Sequence, residues 1–177
     1  KTEKSTIYQL DDGMKREVIH DSNIRFKENG KLIDYDPSLV KIEGDRTDNN
    51  TNISEYAYEN NKGDKKNYIP ESISEETPII LENNNYQITI SPTEKETKKV
   101  KVEDENVLNI YDEEVKLPVK AIYEAKDEKS SLEYISKENG IKENIILNKV
   151  PDSNVFEYEI KLEGSKPKKC ELEESIV

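Results

Sequence analysis

Between Pro118 and Gly164 apolar and polar residues alternate in several runs, with turn signals between them. In residues 155–162, Phe156, Tyr158, Ile160 and Leu162 fall on one side and Glu157, Glu159 and Lys161 on the other. Side chains of a strand repeat with a period of two, so this spacing predicts a strand with one buried face and one wet face.

The same pattern recurs along much of the chain. Residues 5–10 predict a strand that Asp11-Asp12-Gly13 turns into a hairpin. Asn29-Gly30 marks a second turn of this kind, between residues 23–27 and Leu32-Ile33. Asp34-Tyr35-Asp36-Pro37-Ser38 reads as a Pro-containing turn before a strand at 39–42. Residues 79–81 and 86–91 flank an Asn-rich loop, because Asn tolerates left-handed backbone, and Pro92 ends the second strand. Val100, Val102 and residues 106–111 give further short strands. Turns are expected at 127–129, at Asn139-Gly140 and at 151–154.

From Glu43 to Thr77 the pattern weakens, and only Ile53, Tyr56 and Tyr58 suggest one edge strand. This segment reads as a long, partly mobile excursion. No segment carries the apolar stripe of a docked helix, and there is no repeat of solenoid length.

The expected fold is therefore all-β: antiparallel β-sandwich-like layers, arranged as two small packed subdomains joined by a long polar excursion. Residues 1–92 would form the N-terminal β subdomain, with the mobile excursion at 43–77. Residues 93–105 would be a charged connector, 106–164 the C-terminal antiparallel β subdomain, and 165–177 a tail.

Composition adjusts this picture. Of 177 residues, 32% are hydrophobic and 37% are charged, which predicts thin cores with polar rims. There are 10 Tyr and no Trp; tyrosine serves such a core as a buried ring with a wet tip. A net charge of −12 removes the cationic drive that nucleic acid and anionic membrane require. No apolar run approaches the roughly 18 residues of a spanning helix. The single cysteine, Cys170, allows no intrachain disulfide and reads as an inert thiol. Its presence leaves the compartment open, as does the Lys1-Thr2-Glu3 start: a trimmed cytosolic chain and a chain with its leader removed both fit.

The chemistry-bearing residues are sparse. His20 precedes Asp21, which suggests a base and its orienting acid, but no patterned nucleophile accompanies them. One His and one Cys do not make a zinc site. Acids cluster at Asp11-Asp12, at Asp34 and Asp36, at Asp104-Glu105 and at Asp112-Glu113-Glu114. A glycosidase needs two carboxylates facing across a groove, yet among 39 Asp and Glu such neighbours arise by chance. The segment from Asp34 begins like a calcium loop, but Leu39 and Asp45 stand where an EF-hand needs Gly and Glu. Only a looser oxygen cage between loops would remain. No cofactor and no catalytic residue is expected. Tyr56, Tyr58 and Tyr68 are the candidates for stacking a sugar, against the alternative that they cap the core beneath a loop.

Several motifs resemble the N-terminal region of large secreted wall-associated proteins of Gram-positive bacteria, which carry a DNRLRE β-sandwich domain and RHS (YD) repeats. They are Tyr8-x-Leu10-x-Asp12-Gly13, Ile24-x-Phe26 with Gly30-Lys31-Leu32, Asp36-x-x-Leu39 and Tyr86-x-Ile88-x-Ile90-x-Pro92. Leu132-Glu133-Tyr134, residues 140–147 and Asn154-x-Phe156-x-Tyr158-x-Ile160-x-Leu162 complete the series. Ser131 departs from it, where the family often carries an acid. The resemblance implies an excised piece of a longer secreted protein, located at the cell wall or outside the cell. It implies a non-catalytic structural module that scaffolds or presents downstream domains of the same polypeptide. A carbohydrate or cell-wall-polymer binding module is the alternative, and a carboxylate-dependent glycan hydrolase the second. Partners would be those downstream domains and cell-wall glycan, with no nucleic acid and no membrane span.

Overall fold

Short alternating segments with Asn, Asp and Gly between them fold, in a computed structural model, into antiparallel strands. The structure describes residues 2–44, 46–48, 51–93, 97–109, 111, 113–150 and 155–164. The strands are β1 (Ser5–Gln9), β2 (Lys15–Ile19), β3 (Arg25–Glu28), β4 (Lys31–Asp34), β5 (Asp36–Lys41), β6 (Thr47–Asp48), β7 (Thr51–Asn52) and β8 (Tyr56–Lys62). They continue as β9 (Lys66–Pro70), β10 (Ile79–Glu82), β11 (Gln87–Pro92), β12 (Lys101–Leu108), β13 (Glu114–Glu124), β14 (Ser130–Lys137), β15 (Gly140–Leu147) and β16 (Tyr158–Glu163). No helix occurs among the described residues.

Two sheets dominate. One has the order β16-β11-β10-β9-β8-β5 and the other β12-β13-β14-β15; three two-stranded pieces, β1-β2, β3-β4 and β6-β7, surround them. The all-β class and the antiparallel layering stand as the hydrophobic pattern predicts. Leu39, Ile69 and Ile79 of the larger sheet meet Ala121, Tyr123, Leu132 and Tyr134 of the smaller one. Within this shared core the Tyr123 and Tyr134 rings meet edge to face, 6.0 Å apart at 79°, a favoured aromatic geometry. The Tyr123 hydroxyl donates to Pro70 O at 2.6 Å, joining the sheets by a buried bond. Asn67 makes a second polar link, its amide donating to Gly140 O (3.3 Å) and Ser136 Oγ (3.4 Å) across the layers. A smaller cluster of Ile53, Tyr56, Tyr68 and Ile80 lies on the opposite face of the larger sheet, with Ile42 packed against it.

Five features differ from the sequence reading. Asp36 and Pro37 begin β5 instead of forming a turn; Pro37 is tolerated because β5 is an edge strand. Tyr56 and Tyr58 lie on β8, which has neighbours on both sides, so it is an inner strand and not an edge. β9 follows it, and both of its faces are covered, which erases the alternation that would have announced it. On β16, Ile160 and Leu162 share a side with Tyr158 but are 59% and 36% exposed, so the predicted buried face is only half covered. β16 also belongs to the sheet built from residues 36–92, paired with β11 from Gln87↔Glu163 to Pro92↔Tyr158.

Pro118 sits inside β13, where a proline removes a ladder bond. The register shift between Glu103 and Asp104 on β12 falls opposite it, and this irregularity accommodates the proline.

Candidate functional site

The end of the sandwich where β4 runs into β5 opens as a cleft of about 350 Å³. Asp34, Tyr35, Asp36 and Lys62 line one side, and Leu117 and Tyr111 the other. These acids are where the sequence suggested a calcium loop. Asp36 Oδ1 accepts the Ser38 N–H at 3.1 Å and its Oδ2 accepts the Asn61 amide at 2.7 Å. Burial works against ionisation of Asp36, but the Ser38 and Asn61 hydrogen bonds and the Lys62 charge outweigh it and lower the pKa. Asp34 accepts Arg25 Nε at 2.6 Å and lies 3.5 Å from the Tyr111 hydroxyl. The Tyr35 hydroxyl donates to Asp64; burial first, and then the Asp64 carboxylate, pushes its pKa well above the ordinary value. Asp34, Asp36 and Asp64 thus each already accept a hydrogen bond from a neighbouring donor. Among the described residues no group of three or more His, Cys, Asp or Glu is placed to hold a metal ion.

The three tyrosines singled out from the sequence do not converge. Tyr68 is fully buried and Tyr56 is 7% exposed; their rings meet edge to face at 6.0 Å. Tyr58 packs against the core between the sheets, on the opposite face of β8 and β9. Stacking a sugar requires an open ring face, and here Tyr56 and Tyr68 face protein. Beneath them Glu82, 2% exposed, accepts the Tyr68 hydroxyl at 3.2 Å and the Gln87 amide at 3.0 Å.

His20 closes the first hairpin through its main chain, donating N–H to Lys4 O at 2.9 Å. Its Nε2 is buried without a hydrogen-bond partner. Asp21 presents its main-chain oxygen to Lys4 Nζ at 3.2 Å. Asp12 Oδ1 caps its own turn by accepting the Met14 N–H. Cys170, Asp45 and Asp112 lie outside the described residues.

The residue that sequence reasoning passed over is Arg25, only 1% exposed. Its Nε donates to Asp34, its Nη1 to Ser5 O (2.8 Å) and Thr2 O (3.2 Å), and its Nη2 to Thr6 Oγ1 (3.0 Å). It therefore fastens the β1-β2 hairpin to the β3-β4 hairpin. A signal was available: Arg25 and Asp34 are equally spaced about Asn29-Gly30, so the hairpin register pairs them directly.

A second charged region surrounds Lys98. Lys98 Nζ reaches Glu128 (2.9 Å) and Glu124 (3.3 Å), Lys101 reaches Glu124 (2.7 Å), and Lys99 reaches Glu71 (2.6 Å). The hydrogen bond to Glu128, followed by that to Glu124, raises the Lys98 pKa. These groups are solvent-exposed, so each pair contributes little to stability.

Fold and site together define a two-layer antiparallel β module whose conspicuous polar side chains join one strand to another. Compared with protein-family models, curated proteins and solved structures, the chain matches none.

Proposed function

We propose that this chain is a non-catalytic structural module that spaces and presents adjoining domains of a larger secreted, wall-associated bacterial protein. The observation that supports this most is what its buried polar groups do. Arg25, Asn67 and Glu82 each hold one strand or sheet to another, and Asp34 and Asp36 at the cleft mouth accept donors of neighbouring residues. Side chains used in this way stiffen a spacer. Catalytic carboxylates would instead face each other across a groove with their oxygens open to substrate. The cellular setting in this proposal comes from the resemblance of sequence motifs to wall-associated repeat proteins.

The test is to incubate the protein with Gram-positive wall preparations and measure both released saccharide and retained protein. The structural reading expects neither turnover nor saturable retention. Turnover that one carboxylate substitution abolishes would overturn it in favour of a hydrolase.

One observation favours a second reading, a glycan-binding module. The cleft at the sandwich end places the 37% exposed Tyr111 ring beside acids and Lys62, the combination of flat apolar surface and polar groups that grips a sugar. This moves the binding surface away from Tyr56, Tyr58 and Tyr68. Saturable glycan retention lost in Tyr111→Ala would support it.

A further inference from the structure

Among the described residues the larger sheet ends in β16, which pairs with β11 on one side and has no strand on the other. The phase of its backbone can be read from the adjoining pair. The Thr93 N–H donates to Glu157 O at 3.1 Å, and bonded and non-bonded pairs alternate along an antiparallel ladder. Glu157, Glu159, Lys161 and Glu163 therefore turn their N–H and C=O groups toward β11. Tyr158, Ile160 and Leu162 turn theirs to the open edge. Pro92, which has no N–H, lies opposite Tyr158, in agreement with this phase.

The side chains follow the same division. Tyr158, Ile160 and Leu162 share one face, with Ile160 59% and Leu162 36% exposed. Glu159, Lys161 and Glu163 alternate in charge on the other face. The other edges of the two large sheets carry devices that discourage strand addition. β5 has Pro37 and an irregular register between Asp36 and Leu39, β12 shifts register between Glu103 and Asp104, and β15 presents Lys142-Glu143-Asn144 in its middle. The register of β16 with β11 is unbroken over its whole length.

We propose that β16 is a homodimer edge, pairing antiparallel with β16 of a second copy about a twofold axis through Ile160. In that register Ile160 meets its own counterpart, and Tyr158 meets Leu162 twice by symmetry. Glu159 meets Lys161 twice on the opposite face. Directly opposed pairs of this kind stabilise a sheet, and like charges destabilise it. Centring the axis on Glu159 or on Lys161 would set identical charges against each other, so charge complementarity selects Ile160. The outermost pair, Glu157 against Glu163, is like-charged and limits the affinity. The contact is isologous and closes at two copies, joining the larger sheets into one. This inference goes beyond the spacer role; a monomeric protein would leave that role intact.

The test is sedimentation equilibrium of the whole 177-residue chain from micromolar to millimolar concentration, at physiological ionic strength. The mass should rise toward twice the 20.5 kDa of one chain. Lys161→Glu alone and Glu159→Lys alone should each hold the mass at one chain, because each sets like charges opposite one another. The double exchange should restore the dimer. Ile160→Pro removes an outward N–H that the β11 ladder does not use, so it should abolish dimerisation with the circular dichroism of the native fold retained. A mass that stays at one chain across the range overturns the proposal, whatever segment covers the edge. So does a dimer that survives both single charge reversals.

Discussion

Replacing Arg25 with methionine keeps an unbranched apolar stem and deletes the guanidinium with its charge and its donors. The guanidinium is 1% exposed and reaches Asp34, Ser5 O, Thr2 O and Thr6 Oγ1. Asp34 is 44% exposed on its side chain, so water takes over that carboxylate at modest cost. The Ser5 and Thr6 groups are not so placed: these residues are 3% and 1% exposed. Ser5 O would keep only a long bond from Thr2 N, at 3.3 Å. Breaking a buried charged contact costs about 3–5 kcal/mol, and the exposure of Asp34 puts this case near the lower end, about 3 kcal/mol. The loss should be local. β2 is mostly exposed, and the remaining ties from this hairpin to the chain after it include the main-chain bond from Ile24 N to Glu3 O (2.8 Å) and side-chain contacts such as Asn23 with Glu3 (3.4 Å), Lys27 with Glu3 (3.2 Å) and the Tyr8 ring with Tyr111. Hydrogen exchange under native conditions reads such openings segment by segment. In Arg25→Met, amides of β1 and β2 should exchange roughly a hundredfold faster, at about 1.4 kcal/mol per factor of ten. Amides of β13 and β14 should be unchanged. Unaltered exchange in β1 and β2 would refute the reasoning, and so would an equal acceleration in β13 and β14.

Tyr123→Phe removes the buried donor to Pro70 O (2.6 Å) and should lower unfolding free energy by about 1–2 kcal/mol, read as a shifted urea midpoint; an unchanged midpoint would contradict it. Tyr35, Tyr56, Tyr123, Tyr134 and Tyr158 all have pKa values raised above 10.0, first by burial. Their stabilisation is whole below pH 10 and is lost as pH rises above it, so phenolate absorbance from them should appear together with loss of near-ultraviolet dichroism. Ionisation of all ten tyrosines in a still-native protein would count against that. Asp36 has a lowered pKa, so its contribution is present above the ordinary carboxylate range and lost as pH falls through the folded value. Asp36→Asn should melt lower than the parent at neutral pH, by about 1 kcal/mol of stability, and the gap should close in acid; a gap that persists there would disprove the linkage.

The hairpins were legible because their turns are local chemistry. Asn29 and Gly30 both adopt positive φ, 49° and 76°, the conformation that Asn-Gly supplies for a two-residue turn. The class and layering followed from alternation alone. What was not legible depends on partners distant in sequence. Tyr68 and Ile69 lie next to each other yet are buried on opposite faces, in two different clusters, so β9 shows no period of two. The exposure of Ile160, 59%, depends on which distant strands pack over β16, which no local pattern encodes. Arg25 looked like an ordinary strand cation until the register placed Asp34 opposite it. The cleft likewise joins residues 34–36 to Val107, Leu108, Tyr111 and Leu117, a proximity created only when the smaller sheet packs over β5.

The account rests on the two sheets sharing one core, with side chains of each filling the other. Leu132 on β14 is 2% exposed and packs with Leu39, Ile69 and Ile79 of the opposite sheet. Leu132→Ala leaves a cavity worth about 2–5 kcal/mol. Hydrogen exchange of this variant should show β9 and β10 losing the same free energy of protection as β13 and β14. A loss confined to β12–β15, with β9 and β10 protected as before, would contradict the account.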